Sequence, residues 1–182
     1  MKVGTTMRWF PSIPGWDGIH PAMVHFPIAL LFVAPLLVFV SLFAKQAWRS
    51  WTGAALVLMA LGTVAAWLAV GSGHAAGQLV DKVAGLQREI GRHEQLGIMT
   101  RNLFTLVTLV FAGLILVLPR FFKQATAPAW RITIHAVFLV AYLACTGLLA
   151  NTANQGGRLV HEFGVKAMIG ATGPQQTAVV SP

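Results

Sequence analysis

Histidine is the residue of this chain best equipped for chemistry, with six copies: His20, His25, His74, His93, His135 and His161. Neutral imidazole is the commonest protein ligand for transition metals and the usual axial ligand of haem iron. Competing chemistries are poorly supplied. Cys145 stands alone, which excludes an intrachain disulfide, a cysteine-ligated zinc knuckle and an iron–sulfur cluster, and no Cys-x-x-Cys-His stretch exists to attach a c-type haem. The five acids, Asp17, Asp81, Glu89, Glu94 and Glu162, all fall outside the uncharged segments, and no serine or cysteine nucleophile signature is present, so a hydrolase is the least favoured reading.

The elements that must position these imidazoles are long uncharged runs. Of the 182 residues, 56% are hydrophobic and only 10% charged, against about a quarter in ordinary soluble domains. A bilayer core about 30 Å thick takes roughly 20 apolar residues per helix. Four windows meet that need: Ile19 to Ala44, with its core at Pro27 to Ala44; Ser50 to Val80, with its core at Thr52 to Val70; Asn102 to Pro119; and Ile132 to Gly157. The expected fold is an all-α membrane protein, an antiparallel bundle of four transmembrane helices. Residues 1–168 are expected to form a single transmembrane domain and 169–182 a flexible tail. Met1 to His20 offers no apolar stretch for a cleavable signal, so the first span is expected to act as its own anchor.

The net charge of +8 does not point to nucleic acid, because the basic residues flank apolar segments instead of forming a patch. Lys45 and Arg49 between spans one and two, and Arg120, Lys123 and Arg131 between spans three and four, occur without any acid. These loops are expected on the cytoplasmic side, and both termini on the periplasmic side. The connection from Asp81 to Arg101 has mixed charge and argues somewhat the other way. Trp16, Trp48, Trp51 and Trp130 fall near span ends, where indoles anchor at headgroup depth.

This topology gathers five histidines on the exterior side: His20 and His25 before the first apolar core, His74 after the second, His93 before the third and His161 after the fourth. His135 alone lies toward the cytoplasmic end. Four-helix bundles build cofactor sites from inward side chains at matching depth, so these positions suit a b-type haem held by two imidazoles from different helices. Gly71, Gly73, Gly77, Gly147, Gly156 and Gly157 would let a macrocycle approach the backbone, or simply let helices pack closely. Arg92, Arg101 and Arg158 are candidate partners for its propionates. His20 and His25 are five residues apart, about 140° on a helix, so at most one faces a given metal. Gly77-Gln78-Leu79-Val80 echoes Gly157-Arg158-Leu159-Val160, which suggests two helical hairpins related by an axis along the membrane normal.

The segment His20-Pro21-x-x-Val24-His25-Phe26-Pro27-Ile28-Ala29, a histidine before the third helix, and Gly156-Gly157-x-Leu159-Val160-x-x-x-Gly164-Val165 together resemble the DUF2231 family of predicted bacterial four-helix membrane proteins. The resemblance covers about residues 20–166. It implies a bacterial inner-membrane protein and invites a haem-binding, b-type cytochrome reading. Many members read Gly-Gly-x-Leu-Val-Tyr-x-His-Gly-Val, whereas here His161 replaces the tyrosine and Phe163 the histidine. That displacement by two places is about 200° on a helix, so the resemblance carries no ligand role to His161 by position. His74 is outside the family pattern and rests on the bundle argument alone.

The leading expectation is therefore a membrane-embedded b-type cytochrome with one or two haems near the periplasmic face. It would act as an electron-transfer subunit more than as a stand-alone enzyme. His25, His74 and His93 rank first as ligands, then His20 and His161. Expected partners are the lipid bilayer, other membrane subunits or a periplasmic cytochrome, with quinol as a candidate donor and Glu94 or a histidine as its proton acceptor. The alternatives are a cofactor-free structural or assembly subunit of a respiratory or photosynthetic complex, and a copper or zinc site formed by the same imidazoles.

Overall fold

Uncharged runs of this length must satisfy their backbone hydrogen bonds internally, and the chain does so with helices. The computed structural model describes residues 15–16, 18–80, 84–122 and 127–165. Asp17, Asp81, Lys82, Lys123, the first fourteen residues and the tail expected at 169–182 lie outside the described residues. Four helices are long and apolar enough to cross a membrane: α1 His20–Phe43, α2 Trp48–Gly77, α3 Gly85–Phe121 and α4 Pro128–His161. Each packs on its neighbours in sequence, and α4 closes the ring against α1, so α1 and α3 are diagonal to one another.

Expected and observed spans agree, with one extension. The stretch before Asn102, expected as a connection, is largely helix, and α3 runs through it to Phe121. Its apolar and small residues explain this: Ile90, His93, Gly97 and Thr100 recur at three- and four-residue steps and line one inward face. The charges of this stretch fall between them, so the helix continues beyond its apolar half.

Prolines shape α1. A turn at Val24 separates His20–Met23 from His25–Phe43, because Pro27 has no N–H to give the Met23 carbonyl. Pro35, buried within the helix, likewise leaves the Leu31 carbonyl without its helical donor. The buried Tyr142 hydroxyl of α4 donates to that carbonyl at 2.9 Å, so the gap in one helix becomes a tie to another. Around it pack Leu31, Val38, Met59, Phe104, Phe111 and Phe138; Phe111 and Phe138 stack at 4.5 Å between centroids. In α3 a π-helical turn, Gly113–Val117, precedes Pro119, which withholds a donor from Ile115. Outward positions such as Leu36, Phe39, Leu61, Leu109 and Val140 remain exposed, as a lipid-facing surface requires.

Candidate cofactor site

At the end of the bundle where α1 and α3 begin, the centre is hollow. A cavity of about 230 Å³ opens between all four helices, lined by His20, His74, His93 and Glu94 among mostly aliphatic residues. Pro21 presets the first turn of α1, and across the break at Val24 His20 lines the cavity while His25 is exposed. His93 enters from the diagonal helix α3 on the face it shares with Ile90 and Gly97. The two imidazoles meet edge to face, with ring centroids 6.4 Å apart and planes at 74°.

Glycine makes that meeting possible. A Cβ on Gly73 of α2 would stand 2.7 Å from His20 Cε1, and one on Gly156 of α4 would stand 2.9 Å from His93 Cε1. Each hairpin therefore supplies one histidine from its first helix and one seat for it from its second.

Hydrogen bonding fixes the His20 tautomer. Nδ1 lies 2.9 Å from the Ala69 carbonyl, which can only accept, so Nδ1 carries the proton and the Nε2 lone pair is left free. Ser72 Oγ lies 3.2 Å from the same nitrogen and itself donates to Ala69. His93 Nδ1 is buried with no hydrogen-bond partner among the described residues. Beneath the pair, Thr100 and Thr152 join α3 to α4 through their hydroxyls at 2.8 Å.

At the cavity mouth His74 Nδ1 donates to Glu94 Oε1 at 2.6 Å, and the Gln78 amide donates to His74 Nε2 at 2.9 Å. Both ring nitrogens of His74 are thus engaged, and the ring is more than half exposed. The structure brings together His20, His74 and His93 of the expected residues. His25 and His161 are exposed and do not line the cavity, nor do Arg92, Arg101 and Arg158. Arg101 covers the face of Trp67 at 3.9 Å and bonds Asn102. Arg158 pairs with Glu162 at 2.9 Å and bonds Gln155; lying beside Arg158 holds the Glu162 carboxyl below the usual carboxylate range. No group of three or more histidine, cysteine or acidic side chains poised around one ion is found among the described residues.

Sequence reasoning missed Ser72 and the Ala69 carbonyl as the partners of His20. The only available signal was a hydroxyl set between two glycines, Gly71-Ser72-Gly73, at the depth of a histidine on the neighbouring helix.

The family model of DUF2231, described as a predicted membrane protein, matches residues 17–168. The chain belongs to this family. The matched stretch runs through all four helices of this DUF2231 protein, from just before His20 to just beyond α4, and the four spans make it a multi-pass membrane protein. No curated protein and no solved structure gives a significant match to the chain.

Proposed function

We propose that this protein is a membrane-bound electron-transfer subunit of the bacterial inner membrane that holds b-type haem between His20 and His93 near the periplasmic face. One observation carries the reading: two imidazoles from diagonal helices meet in one mostly apolar cavity, and one has a ring nitrogen tied to a backbone carbonyl. Metal-bound histidines almost always donate their second N–H in this way, which orients the ring and raises its basicity. His20 and His93, with ring centroids 6.4 Å apart, are the residues that would hold the haem iron. The cavity is just under the roughly 300–1,000 Å³ of pockets that enclose drug-sized ligands, so a porphyrin requires its aliphatic walls to part.

Bound haem would supply a one-electron ferric/ferrous couple. The chain's own part is to present His20 Nε2 as a free lone pair, to seat both rings on glycine and to surround them with aliphatic walls that keep water away. His93 lies nine residues before Asn102, about 13 Å along α3 from the start of its apolar run. An electron carrier at that depth is within reach of a water-soluble or membrane-surface partner, such as a periplasmic cytochrome or quinol.

The test is the visible spectrum of the detergent-purified chain, oxidised and dithionite-reduced, with a pyridine haemochrome count of haem per chain. A sharp reduced α band from six-coordinate b haem is expected. A flat spectrum from folded protein made with haem available would overturn the reading and leave a structural subunit in its place.

A further inference from the structure

At the opposite end of the bundle Arg131 is only 8% exposed, yet no carboxylate reaches it among the described residues. Its guanidinium touches the Ser41 carbonyl at a long 3.5 Å and lies over the Trp48 ring, 5.1 Å from the centroid. Arg49 lies over the same indole at 5.3 Å. His135 braces the arrangement, with Nδ1 donating to the Arg131 carbonyl at 2.7 Å and its ring set edge-on to Trp48. Its Nε2 is buried and has no hydrogen-bond partner among the described residues. Lys45, in the turn that follows α1, is exposed at this same end. Every described carboxylate, Glu89, Glu94 and Glu162, belongs to the histidine end.

A guanidinium carries five N–H donors, and a buried cation without a counter-charge is costly. An anion from outside the chain would supply the counter-charge that no described carboxylate gives. We infer that the basic end binds the phosphodiester of an anionic phospholipid, held by Arg131, Arg49 and Lys45 on the Trp48 platform. Forked guanidinium donors match phosphate oxygens geometrically. Lipid is favoured over a soluble anion because the surroundings are those of a headgroup: Phe43 is 70% exposed, Trp51 is 38% exposed, and exposed Phe39 and Val40 continue down the outer surface where acyl chains would lie. Basic pockets between transmembrane helices recognise anionic headgroups by these means.

The test adds phosphatidylglycerol, phosphatidylcholine or inorganic phosphate to the detergent-purified full chain, reading thermal unfolding and the lipids retained in native mass spectrometry. Phosphatidylglycerol alone is expected to raise Tm and remain bound. Arg49→Gln and Arg131→Gln are each expected to weaken its binding about fivefold, while Arg92→Gln, at the histidine end, leaves it unchanged. If Arg131→Gln does not fold, Arg49→Gln and Lys45→Gln decide by the same measure. Equal stabilisation by phosphatidylcholine, full stabilisation by inorganic phosphate, or phosphatidylglycerol binding untouched by these substitutions would each overturn the inference.

Discussion

Both ends of the bundle bury histidine, and they treat it in opposite ways. His135 is enclosed by aromatic rings, with Trp48 and Phe111 each edge-on at 6.1 Å, and its free nitrogen looks into packed side chains. His20 and His93 rest on glycines and face open volume. Burial alone does not make an imidazole a ligand. What differs is the neighbour: a glycine leaves room for a third party beside the ring, whereas an indole or phenyl uses that room up.

The most direct way to break this contrast is to delete the rings one at a time. His20→Ala or His93→Ala is expected to lower haem per chain at least tenfold, because each removes one of the two imidazoles that would hold it. His135→Ala is expected to leave the spectrum intact and to cost about 1–3 kcal/mol of stability, as buried side chains commonly do. His25→Ala, on the exposed side of α1, is expected to change neither. If His25→Ala removed the α band while His20→Ala kept it, the pairing would be wrong even though the protein was a cytochrome.

Next in size is a purely packing effect at the basic end. Phe111 is fully buried and stacked on Phe138. Phe111→Ala is expected to cost about 3–5 kcal/mol, read as a lower Tm or denaturation midpoint, with the ratio of haem to folded chain unchanged. A parallel loss of haem from the folded fraction would show that the two ends are coupled.

The glycine seats sharpen the comparison further, because stability and binding should move in opposite directions. Gly73→Ala and Gly156→Ala each gain up to about 1 kcal/mol of helix propensity. At Gly156 the new methyl meets chiefly Cε1 of His93, a ring with no hydrogen bond to hold it among the described residues, whereas at Gly73 it meets Cε1 and Nδ1 of His20 and displaces a ring tied to the Ala69 carbonyl. The expected outcome is haem binding several-fold weaker in both variants, with Gly156→Ala at least as stable as before and Gly73→Ala giving back part of its gain through the bond to Ala69. Unchanged haem affinity in both variants would remove glycine from the explanation.

Much of this was legible in advance, and what was hidden has a physical cause. Charge-free length marks a membrane span irrespective of tertiary context, so the four helices followed from Pro27–Ala44 and its three counterparts. The 140° between His20 and His25 correctly allowed only one of them inward. Which one was hidden, because it depends on the break at Val24 that Pro27 imposes. The pairing of His20 with His93 depends on diagonal placement and on Gly73 and Gly156 falling at the same depth, which no local pattern encodes. Arg131 and His135 had a sequence signal, an i,i+4 pair on one helix face, yet a basic residue beside a span end reads as a topology marker until its burial is seen.

The smallest effect concerns the outer rim of the histidine end, where Arg158 and Glu162 form an i,i+4 pair at 2.9 Å beyond the cavity. Arg158 lowers the Glu162 carboxyl in the folded chain, so the folded state binds that proton less readily than the unfolded one. The pair's contribution is accordingly present above the ordinary glutamate range and is lost as pH falls through the lowered folded value. Water surrounds the pair, and exposed ion pairs are screened. Glu162→Gln should therefore lower Tm only slightly at neutral pH, and the difference from the unaltered chain should vanish on acidification. His74→Gln, which removes the other solvent-exposed pair at this rim, should likewise leave the haem spectrum in place, because both of its ring nitrogens are already engaged by Glu94 and Gln78. Loss of the α band in His74→Gln would move the cofactor from the centre of the cavity to its mouth, where α2 and α3 alone would hold it.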